Sequence, residues 1–217
     1  MRVDIWSDVR CPFCYIGKRK FEKALESFEH RKSVEVVWHS FQLDPSLKTQ
    51  PDVNTYDHLA AIKGISPEQS REMHTHITDV ASQVGISFHF DKAVVANSFK
   101  AHRLIQLAKE RGVANEVEEA LFHAHFTEGK NIDDDETLVQ IGTGIGISEP
   151  DVRALLASND FSEAVEKDEA LAREIGIRGV PFFIFNNRYA VSGAQSPDVF
   201  LKTLQKAWEE YALQPQK

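Results

Sequence analysis

The chain of 217 residues carries 33 acidic against 25 basic side chains, a net charge of −8 that argues against nucleic acid or an anionic membrane surface as its main partner. Hydrophobic residues at 42% and charged ones at 27% are the proportions of a globular protein in water, and the length suffices for one domain with an insertion or for two small ones. No apolar run approaches a membrane span, and Asp4 and Asp8 interrupt any leader-like start, so the expected location is the cytoplasm with no membrane partner.

Met1-Arg2-Val3-Asp4-Ile5-Trp6 alternates as a strand does, Ser7-Asp8-Val9-Arg10 turns, and Cys11 opens a helix whose apolar side runs through Gly17, Phe21, Ala24, Leu25 and Phe28. Val34 to His39 is a second strand candidate, followed by a loop at Asp44-Pro45. From about residue 55 to 175 the spacing is helical. Ser66-Pro67 starts a helix that Gly85 ends; Asn97 or Ser98 starts the next, ending at Gly112. Further helices carry Val117 to Ala124, Thr137 to Ile141, Val152 to Leu156 after a capping box at Ser148, and Phe161 to Ile175. Strand character returns at Pro181–Phe185, turns at Asn186-Asn187 and continues through Tyr189–Ser192. Ser196-Pro197 caps a last helix. Reduced to elements, the chain reads βαβ, a helical block, then ββα.

Cys11-Pro12-Phe13-Cys14 holds the only two cysteines. A cysteine at a helix N-terminus faces unpaired N–H groups and the positive end of the helix dipole, which favour thiolate over thiol. Cys14, one turn on, is within disulfide reach. A structural disulfide is disfavoured, because so short a loop removes little entropy from the unfolded chain. A zinc site would need a second cysteine pair or a paired-histidine motif, and reduced cytosolic thiols are better explained by catalysis than by structure. His74-Thr75-His76 and His123-Ala124-His125 resemble metal pairs, but residues two apart on a helix point to different faces. No metal is expected. Gly142-Thr143-Gly144-Ile145-Gly146 follows a helix, with no strand before it and no Gly-Lys-Ser/Thr after it, so it reads as a helix end rather than a phosphate loop.

These residues carry a resemblance. Cys11-Pro12-Phe13-Cys14, Phe41-Gln42-Leu43-Asp44-Pro45, Asn97 with Ala101-His102-Arg103-Leu104, Phe126-Thr127-Glu128-Gly129, and Gly179-Val180-Pro181-Phe182-Phe183 with Ser192-Gly193-Ala194-Gln195 resemble the DsbA family. The match is to its cytoplasmic FrnE-like branch, near the 2-hydroxychromene-2-carboxylate isomerases and kappa-class glutathione transferases. The resemblance implies an α/β thioredoxin-like fold with a large helical insertion, residues 1–50 and 176–217 forming the thioredoxin-like domain and 51–175 the insertion. It also implies that Cys11 attacks, Cys14 resolves, and Pro181 is a cis-proline beside them. Pro12 and Phe13 would line the substrate site, and the backbone at Val180 would pair with an extended substrate segment. Strongly oxidising periplasmic members carry histidine where this chain has Phe13, a side chain that cannot stabilise a thiolate.

Asp8 is a candidate proton acceptor for Cys14 or a modulator of Cys11, against the plainer reading of a polar turn residue. Asn97, His102 and Arg103 match a segment near the active face, against a helix cap and an exposed basic stretch. His39 reads as a packing or surface histidine. The expected function is a cytoplasmic thiol–disulfide oxidoreductase, a reductase or isomerase of protein disulfides. Its cofactor is the Cys11-Cys14 pair itself, with glutathione a candidate cosubstrate. The alternatives are a glutathione-dependent transferase or isomerase of small organic molecules, which would need no second thiol, and a redox-sensing or chaperone-like binding protein without turnover. Partners are then protein or small thiol and disulfide substrates, in an oligomeric state that sequence leaves open.

Overall fold

In the computed structural model, which describes residues 1–213, the strand alternation sorts side chains between two helical layers. On β1 (Arg2–Ser7), Val3 and Ile5 join the main core, whereas Trp6 packs with Ala172 and Ile177 on the opposite face. On β3 (Phe182–Phe185), Phe183 and Phe185 face the main core, and Phe182 and Ile184 face the other way. With β2 (Glu35–Ser40) and β4 (Tyr189–Ser192) they form one sheet in the order β2-β1-β3-β4. β1 and β2 are parallel, β3 runs antiparallel to β1, and β4 antiparallel to β3. The β3–β4 turn uses Asn186 and Asn187 at φ 50° and 54°, a region asparagine tolerates better than most residues, and the Arg188 amide closes it on the Phe185 carbonyl at 3.0 Å.

One face of the sheet is covered by α1 (Pro12–Glu26) and α9 (Pro197–Ala212). Phe21, Phe183 and Phe200 meet there with ring centroids 4.6–5.8 Å apart, all 2% exposed or less. Buried rings of this kind are each worth about 3–5 kcal/mol when removed. The helical block comprises α2 (Thr55–Lys63), α3 (Pro67–Ser82), α4 (Phe99–Glu110), α5 (Ala114–Phe126), α6 (Asp135–Gly144) and α7 (Glu149–Ala157). Then α8 (Ser162–Glu174) covers the second face of the sheet. It falls within segment 51–175 by sequence and on the sheet by packing; the last four residues of segment 176–217 lie outside the described residues. Among the elements, α2 has no separate signal in the sequence reading, β2 is shifted by one residue, and the glycine-rich stretch is indeed the end of α6. The α/β thioredoxin-like order, βαβ and ββα around a helical insertion, is the observed one.

Arg103, expected as part of an exposed basic stretch or the active face, is 5% exposed and donates to the carbonyls of Leu155, Ser158 and Asp160, closing the C-terminal end of α7. His39 is a packing residue with charged partners. Its ring stacks on Trp6 at 4.3 Å, Nε2 lies 2.7 Å from Asp4, and Nδ1 lies 2.7 Å from Asp168 of α8. Asp168 also accepts from the Ser40 amide and Gln106. Burial works against the charged imidazole, but the bonds to Asp168 and Asp4 prevail and raise its pKa; both carboxyls are held below their ordinary range.

The sign of the pH effect follows. Stability from His39 is full below its unfolded pKa, about 6.5, and is lost as pH rises through the raised folded value; that from Asp4 and Asp168 is lost as pH falls through their lowered values. His39→Gln should therefore cost about 1.5–3 kcal/mol near pH 5.5, with a smaller deficit at pH 9. Urea unfolding at the two pH values checks this, and an equal deficit at both would refute it.

Candidate active site

The C-terminal ends of β1 and β2 deliver two loops to one edge. After Ser7 the chain turns through Asp8, with the Cys11 amide donating to the Asp8 carbonyl at 2.9 Å. The Asp8 carboxylate accepts from the Arg10 amide at 3.1 Å and from the Leu43 amide at 2.8 Å, which fastens the loop after β2 to the loop before α1. Cys11 is then the N-cap of α1, in extended backbone with no side-chain cap, and Pro12 follows at the first helical position, where its missing N–H costs nothing. Cys14 lies one turn inside, its amide donating to the Cys11 carbonyl at 3.0 Å.

The Val180-Pro181 bond is cis, and Val180 presents its carbonyl to the Cys11 thiol at 3.7 Å. This loop covers a sulfur that a bare helix end would expose: Cys11 is 5% and Cys14 1% exposed. Both thiols are free. Burial pushes the Cys14 thiol well up, and the neighbouring Cys11 adds to that, while the Asp8 amide and the Ser7 hydroxyl pull the other way. Around the pair, Phe13 and Leu43 are among the exposed large apolar side chains. A 380 Å³ cleft lined by Arg178, Gly179, Val180, Pro181, Ser192 and Gly193 opens beside the cis-proline.

Pro181 is held from behind by α1. A Cβ built on Gly17 would lie 2.9 Å from Pro181 Cγ and 3.5 Å from Phe183 Cζ, closer than the proline ring can accept. Gly17→Ala should cost about 1–3 kcal/mol as an overpacked contact, despite the better helix propensity of alanine, and should slow Cys11 alkylation as the loop shifts. Thermal melting and iodoacetamide kinetics measure both effects. A stabilised protein with unchanged alkylation would show that the contact does not constrain the loop.

Asp8 is fully buried. Burial works to raise its pKa, but His102, whose Nε2 lies 3.4 Å away, and the Leu43 amide outweigh it and hold the carboxyl below its ordinary range. His102 is raised in turn: burial opposes its charge, and Asp8 more than compensates. His102 therefore stands beside the site. The Asn97 side chain accepts from the Phe99 amide at 2.7 Å and donates to the Leu47 carbonyl at 2.7 Å. It ties the loop after β2 to the start of α4.

Sequence reasoning missed Glu118, and it weighed His125 only as half of a metal pair without seeing that it is buried. On α5 the buried stripe runs Val117, Glu118, Leu121, Phe122, His125, so an acid and an imidazole occupy core positions, which is the signal that was available. Burial raises Glu118 to about 7 and lowers His125 to about 4. Among the described residues no group of three or more His, Cys, Asp or Glu is placed to hold a metal, and no helix is long and apolar enough to cross a membrane.

Known proteins are similar to this chain in sequence and fold. A DSBA-like thioredoxin domain matches residues 2–205. A probable DsbA oxidoreductase of Streptomyces coelicolor superposes with a TM-score of 0.92 at 39% identity, over 100% of this chain and 93% of that one. The protein YwbO of Bacillus subtilis (strain 168) is 28% identical over 208 residues, covering 94% of this chain and 96% of its own. The cytosolic disulfide reductase DsbM of Pseudomonas aeruginosa shares the fold, with a TM-score of 0.68 at 18% identity over 97% and 100% of the two chains. A cysteine pair at the head of α1, faced by a cis-proline loop and carried on this sheet, thus places the chain in the DsbA-like thioredoxin-domain family of thiol–disulfide oxidoreductases.

Proposed function

We propose that the protein is a cytoplasmic reductase or isomerase of protein disulfides, working through Cys11 and Cys14. The observation that carries this reading is the pairing of a Cys11 thiol at a helix N-terminus with the Val180 carbonyl, while Cys14 sits buried one turn behind it. Cys11 attacks a substrate disulfide, the substrate is joined as a mixed disulfide, and Cys14 displaces it. An extended substrate segment alongside Val180 would bring its own sulfur to Cys11 by adding a strand-like contact. Pro12 and the exposed Phe13, with Leu43 across the loop, supply the apolar rim. Asp8 and Asn97 support the site from beneath and from the side by fixing the loops on which it stands.

The cleft beside Pro181, lined by Arg178 and Ser192, favours glutathione as a cosubstrate, since a small acidic thiol tripeptide can be met there by a guanidinium and a hydroxyl. Turnover of insulin disulfides with glutathione as reductant tests the whole reading. Measurable turnover is expected, with a Cys11/Cys14 potential near the cytosolic poise of about −220 to −320 mV. A protein that binds unfolded chains without reducing them would be a binding module instead, and one that conjugates small electrophiles equally well after Cys14→Ser would be a transferase.

A further inference from the structure

Between the end of α8 and the start of β3 a short stretch of backbone is left unpaired. The Ile177 amide donates to the Ala172 carbonyl at 2.8 Å, and the Pro181 carbonyl accepts from the Gly193 amide at 2.8 Å. Between them, the amides of Arg178, Gly179 and Val180 donate to no acceptor among the described residues. Arg178 is exposed, Gly179 and Val180 are half-buried, and all three line the 380 Å³ cleft beside the cis-proline. Arg178 is the one charged side chain of that lining, and among the described residues it forms no ion pair and no side-chain hydrogen bond. The facing wall is fixed: Gly193 is tied to Pro181, and Lys20 Nζ of α1 donates to the Ala194 carbonyl at 3.1 Å.

We infer that this cleft selects protein disulfides in which an aspartate or glutamate lies two residues from the reacting cysteine, and that Arg178 is the residue that recognises it. The inference rests on the roles proposed above for Cys11 and Val180. The substrate sulfur must come to Cys11, whose thiol faces the Val180 carbonyl at 3.7 Å. An extended segment laid along the unpaired stretch gains its free amides as hydrogen-bond donors. With the substrate cysteine opposite Val180, the residue opposite Arg178 is two positions along, because strand residues advance about 3.3 Å each and those two apart share a face. Directly opposed side chains begin about 5 Å apart, and a guanidinium fits a carboxylate through two parallel N–H···O bonds.

The net charge of −8 sharpens the expectation. The molecule as a whole repels acidic segments, so a carboxylate is favoured only where a local cation meets it, and acidic residues elsewhere in the substrate bring no gain. The neighbouring cations are committed in other ways. Arg173 of α8 lies 3.8 Å from Glu169, and Lys20 gives its ammonium to the Ala194 carbonyl. Because Arg178 is exposed, its pairing with a substrate carboxylate is modest and screened by salt, a preference of about two- to fivefold.

Peptides whose single cysteine is joined to pyridine-2-thiol test this. Attack of the Cys11 thiolate on the peptide sulfur forms the Cys11–peptide disulfide and releases pyridine-2-thione, whose absorbance gives the rate. With reduced full-length protein and no glutathione present, a peptide with glutamate two residues from the cysteine, on one side or the other, should react about two- to fivefold faster than its glutamine counterpart. Lysine at that place should slow the reaction, and glutamate moved two residues further out should bring no gain. About 0.5 M sodium chloride should shrink the preference. Arg178→Gln should flatten it, Arg178→Lys should keep its direction, and Arg178→Glu should reverse it. Equal rates for the glutamate, glutamine and lysine peptides in the wild type overturn the inference, as does a preference that survives Arg178→Glu; either result leaves the thiol roles standing. A wild type that reacts no faster than Cys11→Ser with every peptide overturns those roles, and the inference with them.

Discussion

Cys14→Ser is expected to trap the protein in mixed disulfides through Cys11, visible as slower-migrating species on non-reducing gels. Cys11→Ser is expected to reduce insulin turnover on the order of a thousandfold or more. The asymmetry follows from position. Cys11 is the N-cap of α1, facing the substrate edge beside Val180, whereas Cys14 is 1% exposed and its thiol is pushed well up by burial and by the neighbouring sulfur. A high pKa keeps Cys14 protonated while Cys11 attacks. In the proposed reaction it would become a nucleophile only once Cys11 is tied up in a bond to substrate. Alkylation kinetics give the sharpest check. The Cys14→Ser protein should react with iodoacetamide much faster than the double variant, and equal rates would exchange or abolish the roles.

Asp8→Ala is expected to cost about 3–5 kcal/mol, because it removes one partner of a buried pair and leaves His102 without its counter-charge. It also deprives the Arg10 and Leu43 amides of their acceptor, so the loop after β2 should loosen from the site. In the wild type, stability from Asp8 is lost as pH falls through its lowered folded pKa, and that from His102 as pH rises through its raised one. Without Asp8, burial opposes the His102 charge with only Glu118 and Glu169 left to favour it, so its folded pKa should fall below the unfolded value of about 6.5. Stability should then be lost as pH falls below that value, so the deficit is larger at pH 5 than at pH 8. Asp8→Asn, which keeps an acceptor for one amide, should lose less. Urea unfolding of the three proteins at both pH values measures this, and a deficit below about 1 kcal/mol that does not change with pH would show that the pair contributes little.

Local rules determined much of this protein from the sequence. The alternation of Val3, Ile5 and Trp6, the proline starts at Pro12, Pro67 and Pro197, and the Asn186-Asn187 turn each depend on a few adjacent residues, and the structure places strands, helices and a turn there. The cysteine pair at the head of α1 was legible for the same reason, since strand, C-x-x-C and helix are consecutive in the chain. Local rules carry no trace of what meets across the fold, and only the family resemblance brought the Val180-Pro181 loop to the cysteines in advance. Val180 reaches Cys11 from 169 residues away, and His39 joins Asp168 across 129. Glu118 looks like an ordinary helical acid until tertiary packing buries it. Its pKa of about 7 comes from exclusion of water, a property of the assembled core that periodicity carries no trace of beyond an acid in an apolar stripe. Short-range preferences choose elements, whereas desolvation and long-range contacts choose which side chains acquire unusual chemistry.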